Sequence, residues 1–93
     1  MNNEITIEKV KKYRNITKSA LEEAKKAIAK KKEKAAKEIL EMVSNYLSDS
    51  EYFEEREDLV DSFAAINYAH GWLDCGARLG IYKVTDSELF TVD

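Results

Sequence analysis

"NYAHGWLDCGARLGIY", residues 67–82, decides how this chain folds. It holds all three glycines of the chain and its only His, Trp and Cys. Its apolar spacing nevertheless reads as helix. A helix that gathers its poorest former, glycine, beside its rarest side chains either carries a site or lies very close to another element. Extended upstream, the helix spans about 59–79. Asp58 precedes it as a capping residue, and Gly80 follows as a C-terminal stop. Ile81, next in line, suits the apolar contact of a Schellman ending.

On a helical wheel this segment divides into sectors. Leu59, Phe63, Ile66, Leu73 and Ala77 form an ordinary core face. Ser62, Ala65, Ala69, Gly76 and Gly80 form a ridge of small residues. Ala64, Tyr68, Trp72, Cys75 and Leu79 form a third sector. A helix apolar nearly all round is buried on more than one side, which makes this the central element of a small bundle or the bearer of a partner surface. Each interior glycine costs about 1 kcal/mol against alanine. For Gly71 and Gly76, close approach by the tail, by another helix or by a ligand would offset that. Tyr68 and Trp72, beside Gly76 and Gly80, are the candidate interaction residues. Trp72 packs as core against a neighbouring helix or, if exposed, anchors a partner.

Asn67, His70, Asp74 and Arg78 recur three or four apart and so share a face. They read as a satisfied polar network that fixes helix register, or as a recognition site for a polar group. Catalysis is the weakest reading of this cluster. One His with no second ligand at metal spacing is a poor metal site. Cys75 lacks a neighbouring base or a second Cys at redox spacing, so it reads as a small apolar residue. No phosphate-binding glycine loop is present. No catalytic residue, metal or cofactor is assigned.

Working outward, residues 6–28 predict a first helix capped by Thr6, with Glu8 in its first turn. Val10, Tyr13, Thr17, Ala20, Leu21, Ala24, Ala27 and Ile28 make its stripe. Residues 36–55 predict a second, with Ala36, Ile39, Leu40, Val43, Tyr46, Leu47, Ser50 and Phe53 inward. The segment 29–35 holds no Gly, Pro, Asn or Ser, so local chemistry would let the helix run on. Length argues for a break there, because one helix from 6 to about 54 would leave half of itself unpacked unless a second chain completed the core. The tail, 81–93, has a Thr-Asp-Ser turn followed by Leu89, Phe90 and Val92, and is expected to fold back as an extended arm. The fold class is therefore all-α: one domain over 1–93, a three-helix up-down-up bundle with a short extended C-terminal tail.

Charge is segregated. Residues 1–37 carry twelve basic and five acidic groups; residues 38–93 carry three and thirteen. Lys25, Lys26, Lys30, Lys31, Lys32, Lys34 and Lys37 make a candidate nucleic-acid surface. The blander reading is the favoured one: oppositely charged helices of one bundle attract each other, and no aromatic interleaves with the densest lysines. Abundant Lys and Glu with no Gln leans towards a heat-adapted source. A single Cys and the lack of any long apolar run predict a cytoplasmic protein with no membrane span.

The motif Asn67-Tyr68-Ala69, Gly71-Trp72-Leu73-Asp74, Gly76, Arg78-Leu79-Gly80, with the closing Leu89-Phe90-Thr91-Val92, resembles the archaeal domain-of-unknown-function family 357. The resemblance covers roughly 36–92 and implies an all-helical three-helix bundle from an archaeal cell, with no established activity. The chain departs from the family pattern at 54–58, where Lys-Gly-Asp is expected and Glu-Arg-Glu-Asp stands. A looser likeness to the helical HEPN domains, some of them ribonucleases, fails on spacing: Arg56 and His70 are too far apart for their Arg-His motif. The leading functional expectation is a helical module that docks a protein partner or a second copy through helix three. A nucleic-acid adaptor using the lysines and an enzyme using the polar cluster are the alternatives.

Overall fold

The computed structural model describes residues 4–86 and 89–90. It contains three helices, α1 (Ile7–Lys26), α2 (Glu33–Glu55) and α3 (Leu59–Arg78), in up-down-up order. The Thr6 side chain accepts from the Lys9 amide at 3.2 Å, and Glu8 sits in the first turn. Asp58 caps α3 through the Asp61 amide at 3.0 Å. At the far end of α3, the Gly80 amide donates to Ala77 and the Ile81 amide to Gly76, with Gly80 at φ 72°. That is the Schellman ending, and the buried Ile81 supplies its apolar contact.

The break between α1 and α2 falls at 27–32, slightly before the expected 29–35, and α2 starts three residues earlier than residue 36. Its cause is tertiary. Residues leaving α1 pair with residues leaving α3: the Lys83 amide donates to Ala27 at 2.8 Å and the Ala29 amide to Ile81 at 2.9 Å, a short antiparallel bridge centred on Ile28 and Tyr82. Lys31, at φ 68°, then reverses the chain into α2. At the α2–α3 turn Glu57 adopts φ 61°. Left-handed backbone suits glycine far better than a side chain with a Cβ.

Helix α3 is central, packing on both α2 and α1, which touch each other less. Its buried side differs from the expected core face. Ser62, Ala65, Ile66, Ala69, Leu73 and Gly76 are buried, while Leu59, Phe63 and Ala77 lie half-buried at the margins. The small ridge is thus the contact surface itself, because small side chains let neighbouring backbones come close. At one end the buried Ser62 hydroxyl donates to the Ser50 carbonyl of α2 at 2.6 Å. At the other, Tyr82 lies over Gly76 and its hydroxyl donates to the Leu73 carbonyl. A Cβ on Gly76 would overlap the Tyr82 ring and hydroxyl. Phe90 closes over Tyr82, ring centroids 6.2 Å apart, and is itself buried. The amides of Leu89 and Phe90 both donate to Asp86, so the tail turns there instead of running extended throughout. Val92 lies outside the described residues.

Helix α1 inverts two expectations. Tyr13, and Ile28 just beyond the end of the helix, are partly exposed, and the unexpected Arg14 is buried. Arg14 meets Glu54 of α2 at 2.5 Å, and Lys18 meets Glu51 at 3.1 Å, so the basic and acidic halves do join across helices.

Candidate functional site

The core uses one side of α3 and leaves the opposite side open. Along it stand Val60, 66% exposed, Tyr68, 64%, Trp72, 39%, and Leu79, 67%. Between them Gly71 and Cys75 are also exposed, Cys75 as a free thiol, and Ala64 is half-buried. Tyr68 stacks on Tyr46 of α2, with centroids 5.6 Å apart and planes 21° from parallel, so the patch extends onto the neighbouring helix. Asn67, Tyr68, Gly71, Trp72 and Cys75 line a shallow apolar depression; Gly71, Cys75, Arg78 and Leu79 border a second one beside it. Gly71 and Cys75 line both. Apart from the chain neighbours of Gly71 and the backbone of its own helix turn, no atom lies within 4 Å of where its Cβ would be. The two helical glycines therefore have different reasons. Tyr82 explains Gly76. Nothing among the described residues explains Gly71.

These positions sort the expected interaction residues. Tyr68 and Trp72 stand on the open face. Gly76 does not: it lies under Tyr82, and no outside partner reaches it. Gly80 is exposed, but its positive φ already accounts for it as the helix stop. Leu79 and Val60 belong to the patch and were not singled out as site residues. Leu79 was legible as a third-sector neighbour of Trp72. Val60 lies one helical turn before Ala64, at the same spacing, and so continues that sector towards the start of the helix.

The polar cluster sits on another side of α3, facing α1. His70 Nδ1 lies 3.0 Å from the Thr17 hydroxyl, and its Nε2 lies 3.8 Å from Asp74. With the ring proton on Nε2, Nδ1 accepts from Thr17. That hydroxyl, 1% exposed, has to be bonded, since a buried unpaired polar group costs about 1–3 kcal/mol. Thr17 was read only as part of the α1 stripe, yet it ties α1 to α3 at this point. A groove of about 410 Å³ opens beside the pair, bordered by Tyr13, Ile16, Asn67 and Asp74. Asn67 and Arg78 are exposed, so only His70 and Asp74 of the four lie partly within the packing. Arg56 stacks on the Tyr52 ring at 3.7 Å and takes no part. Among the described residues no group of His, Cys, Asp or Glu is disposed to hold a metal ion.

The seven lysines are all exposed and cluster where α1 ends and α2 begins. Five glutamates share the stretch 22–41 with them, which leaves a local charge of only +2. Two of those acids engage lysines directly: Glu22 with Lys25 at 3.5 Å and Glu23 with Lys26 at 3.7 Å. Among the described residues no helix is long and apolar enough to cross a membrane.

Comparison with curated proteins and with solved structures returned no match. A family model matches residues 12–82, which adds most of α1 to the stretch that carries the resemblance in sequence, and ends at Tyr82 instead of in the tail. Those residues include α2, α3 and most of α1, the Tyr82 contact on Gly76 and the whole Tyr68–Leu79 face; the chain belongs to the family described as protein of unknown function, DUF357.

Proposed function

We propose that the protein is a helical docking module that binds a protein, a partner or a second copy of itself, through the outer face of α3. One observation carries the reading. The central helix of the bundle, with only three charged residues along its length, turns Val60, Tyr68, Trp72 and Leu79 towards water on the side that the described residues leave uncovered. Aromatic residues on a rigid helix lose little side-chain freedom on contact, which is why they anchor interfaces. The exposed Cys75 thiol fits a reducing compartment.

The lysine surface supports the nucleic-acid reading less well, because acids interleave with it and no aromatic side chain stands among the lysines to stack on a base. The His70 cluster is engaged in holding α1 to α3: the Thr17 hydroxyl on its Nδ1 belongs to a residue only 1% exposed, so it supports a packing role better than attack on a substrate.

The test compares wild type with Leu79→Glu and Trp72→Ala as tagged baits. Leu79 is two-thirds exposed, so Leu79→Glu keeps the helical circular dichroism and the urea midpoint of wild type. Proteins retained by wild type and lost by Leu79→Glu support docking through this face. Equal retention by all three baits removes the reading. If Trp72→Ala unfolds, Trp72 serves the core, and Leu79→Glu alone decides.

A further inference from the structure

We propose that the occupant of the α3 face is a second copy of the chain, its α3 antiparallel to the first, with Tyr68 of each copy seated over Gly71 of the other. This rests on the docking reading above and names its partner.

Asp61, Ala64, Tyr68, Gly71, Cys75 and Arg78 follow one another at intervals of three, four, three, four and three. That is the alternation that keeps a seam turned towards one partner helix. It runs along the exposed side of α3, apart from the core positions Ser62, Ala65, Ala69, Leu73 and Gly76. Place two such seams antiparallel with residue 68 opposite residue 71. Ala64 then faces Cys75, and Asp61 faces Arg78. Every layer is complementary: a ring over a glycine, small against small, carboxylate against guanidinium. The twofold axis makes each layer occur twice, as a closed symmetric interface requires. A parallel pair fails the same comparison. It sets Asp61 against Asp61 and Arg78 against Arg78, and leaves glycine facing glycine.

Two further observations fit this register. Gly71 carries the cost of an interior helical glycine with open space where its Cβ would be. A ring from a neighbouring molecule supplies the close approach that the described residues do not. Asp61 is crowded by Asp58, whose side chain raises the Asp61 pKa through a hydrogen bond and charge repulsion; a guanidinium opposite relieves that. The flanks agree as well. In an antiparallel twofold pair each flank meets its own counterpart, so Trp72 turns towards Ala65 of the other copy, and Asn67 lies beside Asp74 of the other copy.

The interface is small. Twenty residues of helix span about 30 Å, and one helix face falls short of the roughly 800 Å² per partner of a standard stable complex. The dimer is therefore micromolar and concentration-dependent, and it weakens as salt screens the Asp61–Arg78 pairs.

Sedimentation velocity from low to several hundred micromolar, with a cysteine cross-link, tests this. Wild type shifts from monomer to dimer over that range. Ala64→Cys, a small change at a half-buried position, places its thiol opposite Cys75 of the other copy, so oxidised glutathione gives a disulfide-linked dimer. Wild type gives none, because the two Cys75 residues lie about 16 Å apart along the axis in this register, too far for a disulfide. Gly71→Gln, on open surface, keeps the fold and weakens the dimer at least tenfold. A monomer at every concentration overturns the second copy, while the docking reading stands or falls separately on what Leu79→Glu loses from the pull-down. A dimer that cross-links through Cys75 alone, that fails to cross-link in Ala64→Cys, or that is unaffected by Gly71→Gln overturns the register.

Discussion

Two glycines five residues apart on one helix respond oppositely to the same methyl group. Gly76→Ala drives a Cβ into the Tyr82 ring, and Tyr82 is buried under Phe90 with nowhere to retreat. Overpacking of this kind costs about 1–3 kcal/mol. Gly71→Ala meets nothing and gains helix propensity, about 1 kcal/mol in the other direction. Urea unfolding of the two variants should move the midpoint down and up respectively. Tyr82 has a pH signature too. Burial, and then the charges of Asp74 and Cys75, push its hydroxyl well above the ordinary tyrosine value of 10.0. The unfolded chain releases that proton near pH 10 while the folded chain retains it. This contribution to stability is therefore complete below pH 10 and falls by about 1.4 kcal/mol per pH unit above it. Tyr82→Phe loses about 1 kcal/mol at neutral pH with the hydrogen bond to Leu73. Its alkaline unfolding slope should be shallower than wild type, measured by urea midpoints from pH 8 to pH 11.

The helices themselves were largely legible, because their signals are local. Thr6 and Asp58 are cap residues, Gly80 is a stop, and the stripes recur at helical spacing. What could not be read locally was set by contacts distant in sequence. No residue between 27 and 32 announces that α1 ends there; the chain leaves the helix because Ala27 and Ala29 find partners at Lys83 and Ile81. Arg14 stands outside the apolar stripe and is buried because Glu54 reaches it from another helix. The small ridge on α3 was visible, but which side formed the core depended on how near α2 and the tail could come. The α2–α3 turn joins both kinds of information. The family pattern leads one to expect glycine where this chain has Glu57, and Glu57 is held at φ 61°. Glu57→Gly should therefore stabilise the protein by about 0.5–1 kcal/mol, read as a rise in thermal midpoint with unchanged circular dichroism.

At the scale of the molecule, the three helices and tail fill a slab 41 Å long, 25 Å wide and 16 Å thick. So thin a body has no layer to spare for the outer side of its central helix, which is why an apolar face remains uncovered. The tail does the reverse for the inner side. Tyr82 and Phe90 complete the core and hold the α1–α2 connection in place. Phe90→Ala should cost about 3–5 kcal/mol. It should also speed amide exchange at Ala29, whose bonding partner, Ile81, is held by the same packing. Of the candidate site, Tyr68 and Trp72 were nameable from sequence, but which side of the helix met water was not. The chain has a single tryptophan, and it stands at the rim of that face with two-fifths of its surface in water. An indole so placed fluoresces at longer wavelength than a dry one. When the face is covered the emission should move to the blue, so the unlabelled protein carries an optical gauge of its own occupancy, readable in dilute solution.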